Sequence, residues 1–257
     1  MAAATLLVHS KTTTALAPGQ LGYSDLLTPK FEKFSLDYHL TPPGLEALKE
    51  VLTKKQDELL PLLMAEVEKA NAEGAGFKPK APVSIEEFLE GKLKEPHVGK
   101  PRLPQTPFIK IGCPPERRDP HSPRDKPVFL PVEVKAWDPA NNLLDLAKLR
   151  MAAGTWLEPI VWVNMFLAKT AMGSAGPQCP CIAIKLVGVR VHELVQFGGG
   201  KGAPPPGADD AAIRAVMGSK FDPSKQDFSA FGLSASDAPH VDDHADDEPV
   251  DLKKSVF

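Results

Sequence analysis

Lys30, Phe31, Lys33 and Phe34 interleave two cations with two aromatic rings inside five residues, and Phe108-Ile109-Lys110 repeats the arrangement later in the chain. A single-stranded nucleic acid asks a protein for two things: cations that follow its phosphates, and rings on which successive bases stack at roughly 1 to 3 kcal/mol each. Trp137 and Trp162 offer two more rings on segments that read as strands, and Lys185 and Arg190 offer two more cations on the last of them. Arg117, Arg118, Arg124 and Lys126 crowd a proline-rich stretch that could close over a bound strand.

The competing chemistry is cutting. Glu133-Val134-Lys135 has the acid-any-Lys spacing with which one large class of nucleases holds Mg2+ and positions water. The second carboxylate would have to be Asp119 or Asp125, and both fall in the proline-rich stretch, Asp125 only eight positions before Glu133. Other catalytic patterns are weaker. His192 has no nucleophile in a sharp Gly-flanked turn to serve, and Gly198-Gly-Gly-Lys201-Gly202 lacks the spacing of a phosphate loop. Cys113, Cys179 and Cys181 are too few and too unevenly spaced for a disulfide framework or a zinc knuckle, and His240 and His244 stand in a polar, acidic stretch. No catalytic residue, metal or cofactor is expected, and the chain reads as a binding protein rather than an enzyme. A third class, a virion or scaffold interaction protein, would use the amphipathic helix described next as its docking element.

The elements that must position these residues are mostly strands. Phe34, Leu36, Tyr38 and Leu40 alternate with polar residues across 30–40, which predicts a half-buried strand. Leu45, Leu48, Leu52, Leu59, Leu62, Leu63 and Val67 then recur at helical spacing to about Ala72, with Pro61 inside the helix and Gly74 and Gly76 to stop it. Ser84-Ile-Glu-Glu-Phe88 reads as a short capped helix. Strands follow at 107–111, 128–137, 155–166 and 181–194, with a turn at 138–142 and a short helix at 143–153. About five strands, no repeated strand-helix-strand alternation, and breakers such as Pro159 and Gly188 inside strands predict a mainly β fold with an inserted helix, curled into a small barrel. The expected organisation is a flexible N-terminus over 1–21, one domain over 22–196, and a Gly/Pro linker with an acidic tail over 197–257.

The tail is the other informative feature. Asp237, Asp242, Asp243, Asp246, Asp247, Glu248 and Asp251 occur with no Lys or Arg among them, six residues before the terminal Phe257. The segment has almost nothing apolar to bury, so it is expected to be disordered when free. The whole chain carries a net charge of -3, and with seven negative charges in the tail the remainder stands at +4. A basic body with its own acidic segment suits a nucleic-acid binder that carries a mimic of the polyanion. No apolar run reaches the length needed to span a bilayer, no membrane contact is expected, and the expected location is the cytoplasm.

The order of features resembles the single-stranded DNA-binding proteins of short-tailed bacteriophages. Pro29-Lys30-Phe31, Leu40-Thr-Pro-Pro and the charged helix look like their opening. Pro107-Phe-Ile-Lys-Ile, Leu130-Pro-Val-Glu-Val, Trp137-Asp-Pro-Ala-Asn-Asn, Gly154-Thr-Trp-Leu and Ile184-Lys-Leu-Val-Gly-Val-Arg-Val look like their later strands and turns. The resemblance implies an OB-type five-stranded barrel and DNA bound without sequence preference in replication and recombination. It also implies a tail, through Asp242, Asp243, Asp246, Asp247, Glu248, Asp251 and Phe257, that recruits a replication polymerase and helicase-primase. A homodimer is compatible with it, and for a viral protein the location would be the host cytoplasm. Lys253 and Lys254 interrupt the acidic run, and the Pro-rich loop over 113–126 is longer than a minimal barrel needs.

Overall fold

The computed structural model describes residues 5–30, 33–118, 126, 128–171 and 176–195. In chain order the elements are β1 (Thr5–His9), β2 (Thr14–Ala15), β3 (Gly19–Lys30), β4 (Lys33–His39), α1 (Pro42–Ala72), α2 (Ile85–Glu90) and β5 (Leu93–Lys94). There follow β6 (Phe108–Cys113), β7 (Glu116–Arg118), β8 (Phe129–Pro131), β9 (Lys135–Trp137), β10 (Leu143–Leu144), α3 (Leu146–Leu149), β11 (Trp156–Ala168) and β12 (Cys181–Glu193).

The backbone of the fold is the antiparallel pair β11 and β12. Leu157, Val161, Val163, Met165 and Leu167 on alternate positions of β11 are fully buried, as period-two patterning requires. Register shifts at Trp156/Leu157 and Ile160/Val161 flank Pro159, which has no N–H to give a ladder. From β11 the sheet continues through β3 and β4 to β6, giving a path of five long strands, β12-β11-β3-β4-β6. The path rolls until β6 lies against β12. The expected mainly β fold with an inserted helix is therefore present, but β3 takes the place in the path of the strand expected over 128–137, and among the described residues no backbone ladder joins β6 to β12 to close the expected barrel. The free edge of β12 is instead shared, with β9 pairing in parallel at Gly188, Val189 and Arg190. Gly188 is required there, since a Cβ would sit 2.3 Å from the Lys135 carbonyl oxygen and 2.4 Å from the Trp137 ring.

Helix α1 packs on β1 and β11 through Leu48, Leu52, Leu59, Leu63 and Val67. Thr41 caps it by accepting a bond from the Gly44 N–H, and Pro42 and Pro43 occupy the first turn, where no N–H is needed. Pro61 does not break it. Ser84 caps α2 as the sequence predicts, accepting from the Glu87 N–H at 3.1 Å.

Three expectations change. The N-terminus expected to be flexible over 1–21 contains β1, β2 and the start of β3, laid along the second edge of β11; Leu6, Val8 and Leu16 are buried there, which ties the segment down. The strand expected over 128–137 is two short strands in different sheets, β8 pairing β7 and β9 pairing β12, with residues 132–134 between them. The helix expected over 143–153 shrinks to α3 after the β10 bridge and ends at Arg150, whose φ of 45° is left-handed. No described helix is long and apolar enough to cross a membrane. The linker and acidic tail, 197–257, lie outside the described residues.

Candidate nucleic-acid interface

Residues directly opposite in a ladder share a face, and the outward face of β11, β12 and β9 gathers four of the predicted site residues. Trp162 is 37% exposed and lies opposite exposed Lys185. One alternate position along β11, Ile160 faces Gly188, and over Gly188 lies the ring of Trp137. Arg190 is opposite both Trp137 and Glu158. Two indoles and a lysine thus stand side by side on one sheet surface.

Arg190 holds this surface together. Its Nη1 donates to Glu158 Oε2 at 2.6 Å, and Nη2 and Nε donate to Asn141 Oδ1 at 2.8 and 3.2 Å. Asn141 belongs to the expected turn, where its φ is 69° and Asp138 accepts the Asn142 N–H at 2.8 Å. The guanidinium therefore ties the turn after Trp137 to β11, and as a cation it is already committed. His192 Nε2 reaches the other Glu158 oxygen at 3.2 Å. Burial alone would push the Glu158 carboxyl up, but the bonds and charges of His192 and Arg190 outweigh it and hold the carboxyl below its usual value.

Toward β6 the face runs into the seam. A cleft of about 330 Å³ opens there, with Phe166 and Ala183 on one side and Lys92 and Lys110 on the other. Lys110 Nζ is 3.6 Å from the Asp37 carboxylate, whereas Lys92, Lys135 and Lys185 have no ion-pair partner among the described residues. Burial pushes the Cys113 thiol up while Lys185 pulls it down. The β7–β8 ribbon begins just beyond Cys113, and the chain rejoins the sheet at Lys135, two residues before Trp137. On it Arg117 and Lys126 are exposed and Arg118 pairs with Phe129, a 55% exposed ring.

Other predicted residues fall elsewhere. Phe34 and Phe108, expected to stack on bases, are 8% and 4% exposed and therefore covered. Phe34 points inward beside Leu36 and Tyr38, and Phe108 is covered by the rings of His97 and His39. Lys33 is exposed on β4, and Lys30 is paired with Asp25 at 3.2 Å. Phe31, Arg124, the Arg118 side chain and the tail residues Asp242, Asp243, Asp246, Asp247, Glu248, Asp251 and Phe257 lie outside the described residues. The nuclease alternative loses its frame, since Glu133 sits between two strands rather than on one with Lys135. Among the described residues no group of three or more His, Cys, Asp or Glu could hold a metal, and all three cysteines are free. Lys92 and Phe129 carry no mark in the sequence as binding residues, and Lys135 stands out there only as the lysine of the nuclease triplet.

The chain is similar in structure to bacteriophage single-stranded DNA-binding proteins. With gp2.5, the single-stranded DNA binding protein encoded by bacteriophage T7, the TM-score is 0.43 at 16% identity, over 77% of this chain and 92% of that one. With the single-stranded DNA-binding protein from bacteriophage Enc34 it is 0.37 at 13% identity, over 79% and 99%. The same Enc34 protein in complex with ssDNA gives 0.38 at 12% identity, over 74% and 91%. No protein-family model and no curated protein matches.

Proposed function

We propose that this chain binds single-stranded DNA without sequence preference on the outward face of β11, β12 and β9. The observation that carries the reading is the placement of exposed Trp162 opposite unpaired Lys185, with Trp137 on the same surface. Every base has a face to stack, so indoles held on a rigid sheet accept any sequence, and lysines beside them neutralise the phosphates between stacked bases. Duplex DNA keeps its bases stacked on one another and offers the indoles nothing. The role is binding, not catalysis, in DNA replication and recombination in the cytoplasm, with a homodimer open to it.

The acidic tail is proposed to compete with DNA for the basic face and to recruit a polymerase and helicase-primase through its carboxylates and Phe257. Retention of single-stranded but not duplex oligonucleotides, with affinity falling as salt rises, is the deciding test. Equal retention of both would end the stacking account. Deleting 235–257 is expected to raise single-strand affinity, most at low salt, and Phe257→Ala to lose only partner capture.

A further inference from the structure

We infer that Tyr23 and His97, with the basic loop that carries His97, form a second base-binding subsite on the outer face of β3, β4 and β6. This rests on the reading above and lengthens the strand bound at Trp162. Tyr23 is 49% exposed. Its ring meets His97 edge-on, with centroids 5.0 Å apart at 69°. His97 in turn lies stacked on Phe108 at 4.6 Å and 26°, and its Nε2 is held at 3.0 Å by the carboxylate of Asp37, itself buried. The imidazole is thus fixed from beneath and from the side, and the exposed tyrosine leans on it. A ring already held in place loses little freedom when a base covers it.

The charge around this column suits the same ligand. Residues 91–106 carry Lys92, Lys94, Lys100 and Arg102 against the single acid Glu95. The loop is tied by the Lys100 N–H to the His97 carbonyl at 3.3 Å and the Leu103 N–H to the Lys100 carbonyl at 3.0 Å. Lys100 and Arg102 are exposed and have no ion-pair partner among the described residues. Flat rings flanked by unneutralised cations fit a chain that alternates bases with phosphates. The two ring sites are also continuous, because Lys110 both approaches Asp37 beneath this column and lines the cleft with Ala183, one alternate position from Lys185.

The test uses the full chain and oligothymidylate longer than the roughly 16 nucleotides that one such domain covers at most. Tyr23→Ala is expected to weaken binding by about 5- to 100-fold, while Tyr23→Phe, which keeps the ring, binds as the parent does. Lys100→Ala with Arg102→Ala should lower the slope of log affinity against log salt by about 1.4, two phosphates' worth. Undiminished binding by Tyr23→Ala, or an equal loss in Tyr23→Phe, overturns the subsite. If Trp162→Ala weakens binding and Tyr23→Ala does not, only the subsite falls. If the parent chain retains no oligothymidylate, the functional reading falls with it.

Discussion

Two regions of this chain carry aromatic rings beside lysines, and they end in opposite environments. On β4, Lys33 and Phe34 are neighbours in sequence, and Lys33 faces solvent while Phe34 is buried in the core. On β11 and β12, Trp162 and Lys185 are far apart in sequence and share one exposed surface through the ladder. Successive side chains on a strand point to opposite faces, so a cation next to a ring in sequence sends one of the pair inward. Cross-strand register brings a ring and a cation together on one face. Interleaving therefore marks an amphipathic strand, and the pairing of two distant strands marks a surface that can hold a ligand.

The contrast is sharpest under mutation. Phe34→Ala is expected to cost about 3 to 5 kcal/mol of folding stability, read as a large fall in thermal midpoint, while the molecules that remain folded bind DNA as before. Trp162→Ala should do the reverse, leaving the melt nearly unchanged and costing about 1 to 3 kcal/mol of single-strand affinity in titrations. If Phe34→Ala weakens DNA binding at temperatures where it is fully folded, the division between core ring and surface ring is wrong. Lys185→Ala should lower the salt slope by about 0.7 with no change in the melt. Arg190→Ala removes the clamp between Glu158 and the Asn141 turn, so its loss of affinity should track increased mobility of Trp137 in fluorescence anisotropy rather than a changed salt slope.

A smaller effect separates the regions by pH. Burial holds the His39 imidazole below its ordinary value, so between that value and the lower folded one the unfolded chain binds a proton that the folded chain refuses. Stability should therefore fall as pH drops from about 6.5, before the carboxylates titrate. The Glu158 carboxyl is held low, so its contribution is present above the usual carboxylate range and is lost only as pH falls through its depressed value. Thermal midpoints flat from pH 7 down to the carboxylate range would rule out the buried, neutral His39.

Much of the frame was legible in the sequence because long elements carry their own periodicity: α1, β11, β12, the 138–142 turn and the Ser84 cap all stand where spacing puts them. The short strands were not, and neither was β3, since no strand was expected over 19–29. β1 and β2 have few residues and little pattern, and they are strands because β11 offers them an edge. The site was legible by residue type and not by arrangement. Trp137, Trp162, Lys185 and Arg190 could be named, but that Arg190 is spent on Glu158 and Asn141 depends on partners 32 and 49 positions away. Tyr23 and His97 gave no signal, because what joins them is a contact between β3 and a loop 74 positions on.

The unladdered seam between β6 and β12 sets these surfaces apart from the rest of the sheet. Elsewhere the distance between neighbouring strands is dictated by backbone hydrogen bonds at about 4.8 Å and no side chain can alter it. Across the seam only side chains such as Ile109, Ile111, Ile182 and Ile184 keep the two strands apart. The gauge of the cleft between Lys110 and Ala183 is thus adjustable by a single methyl group, and variants there would retune which strand fits while leaving the fold's connectivity intact.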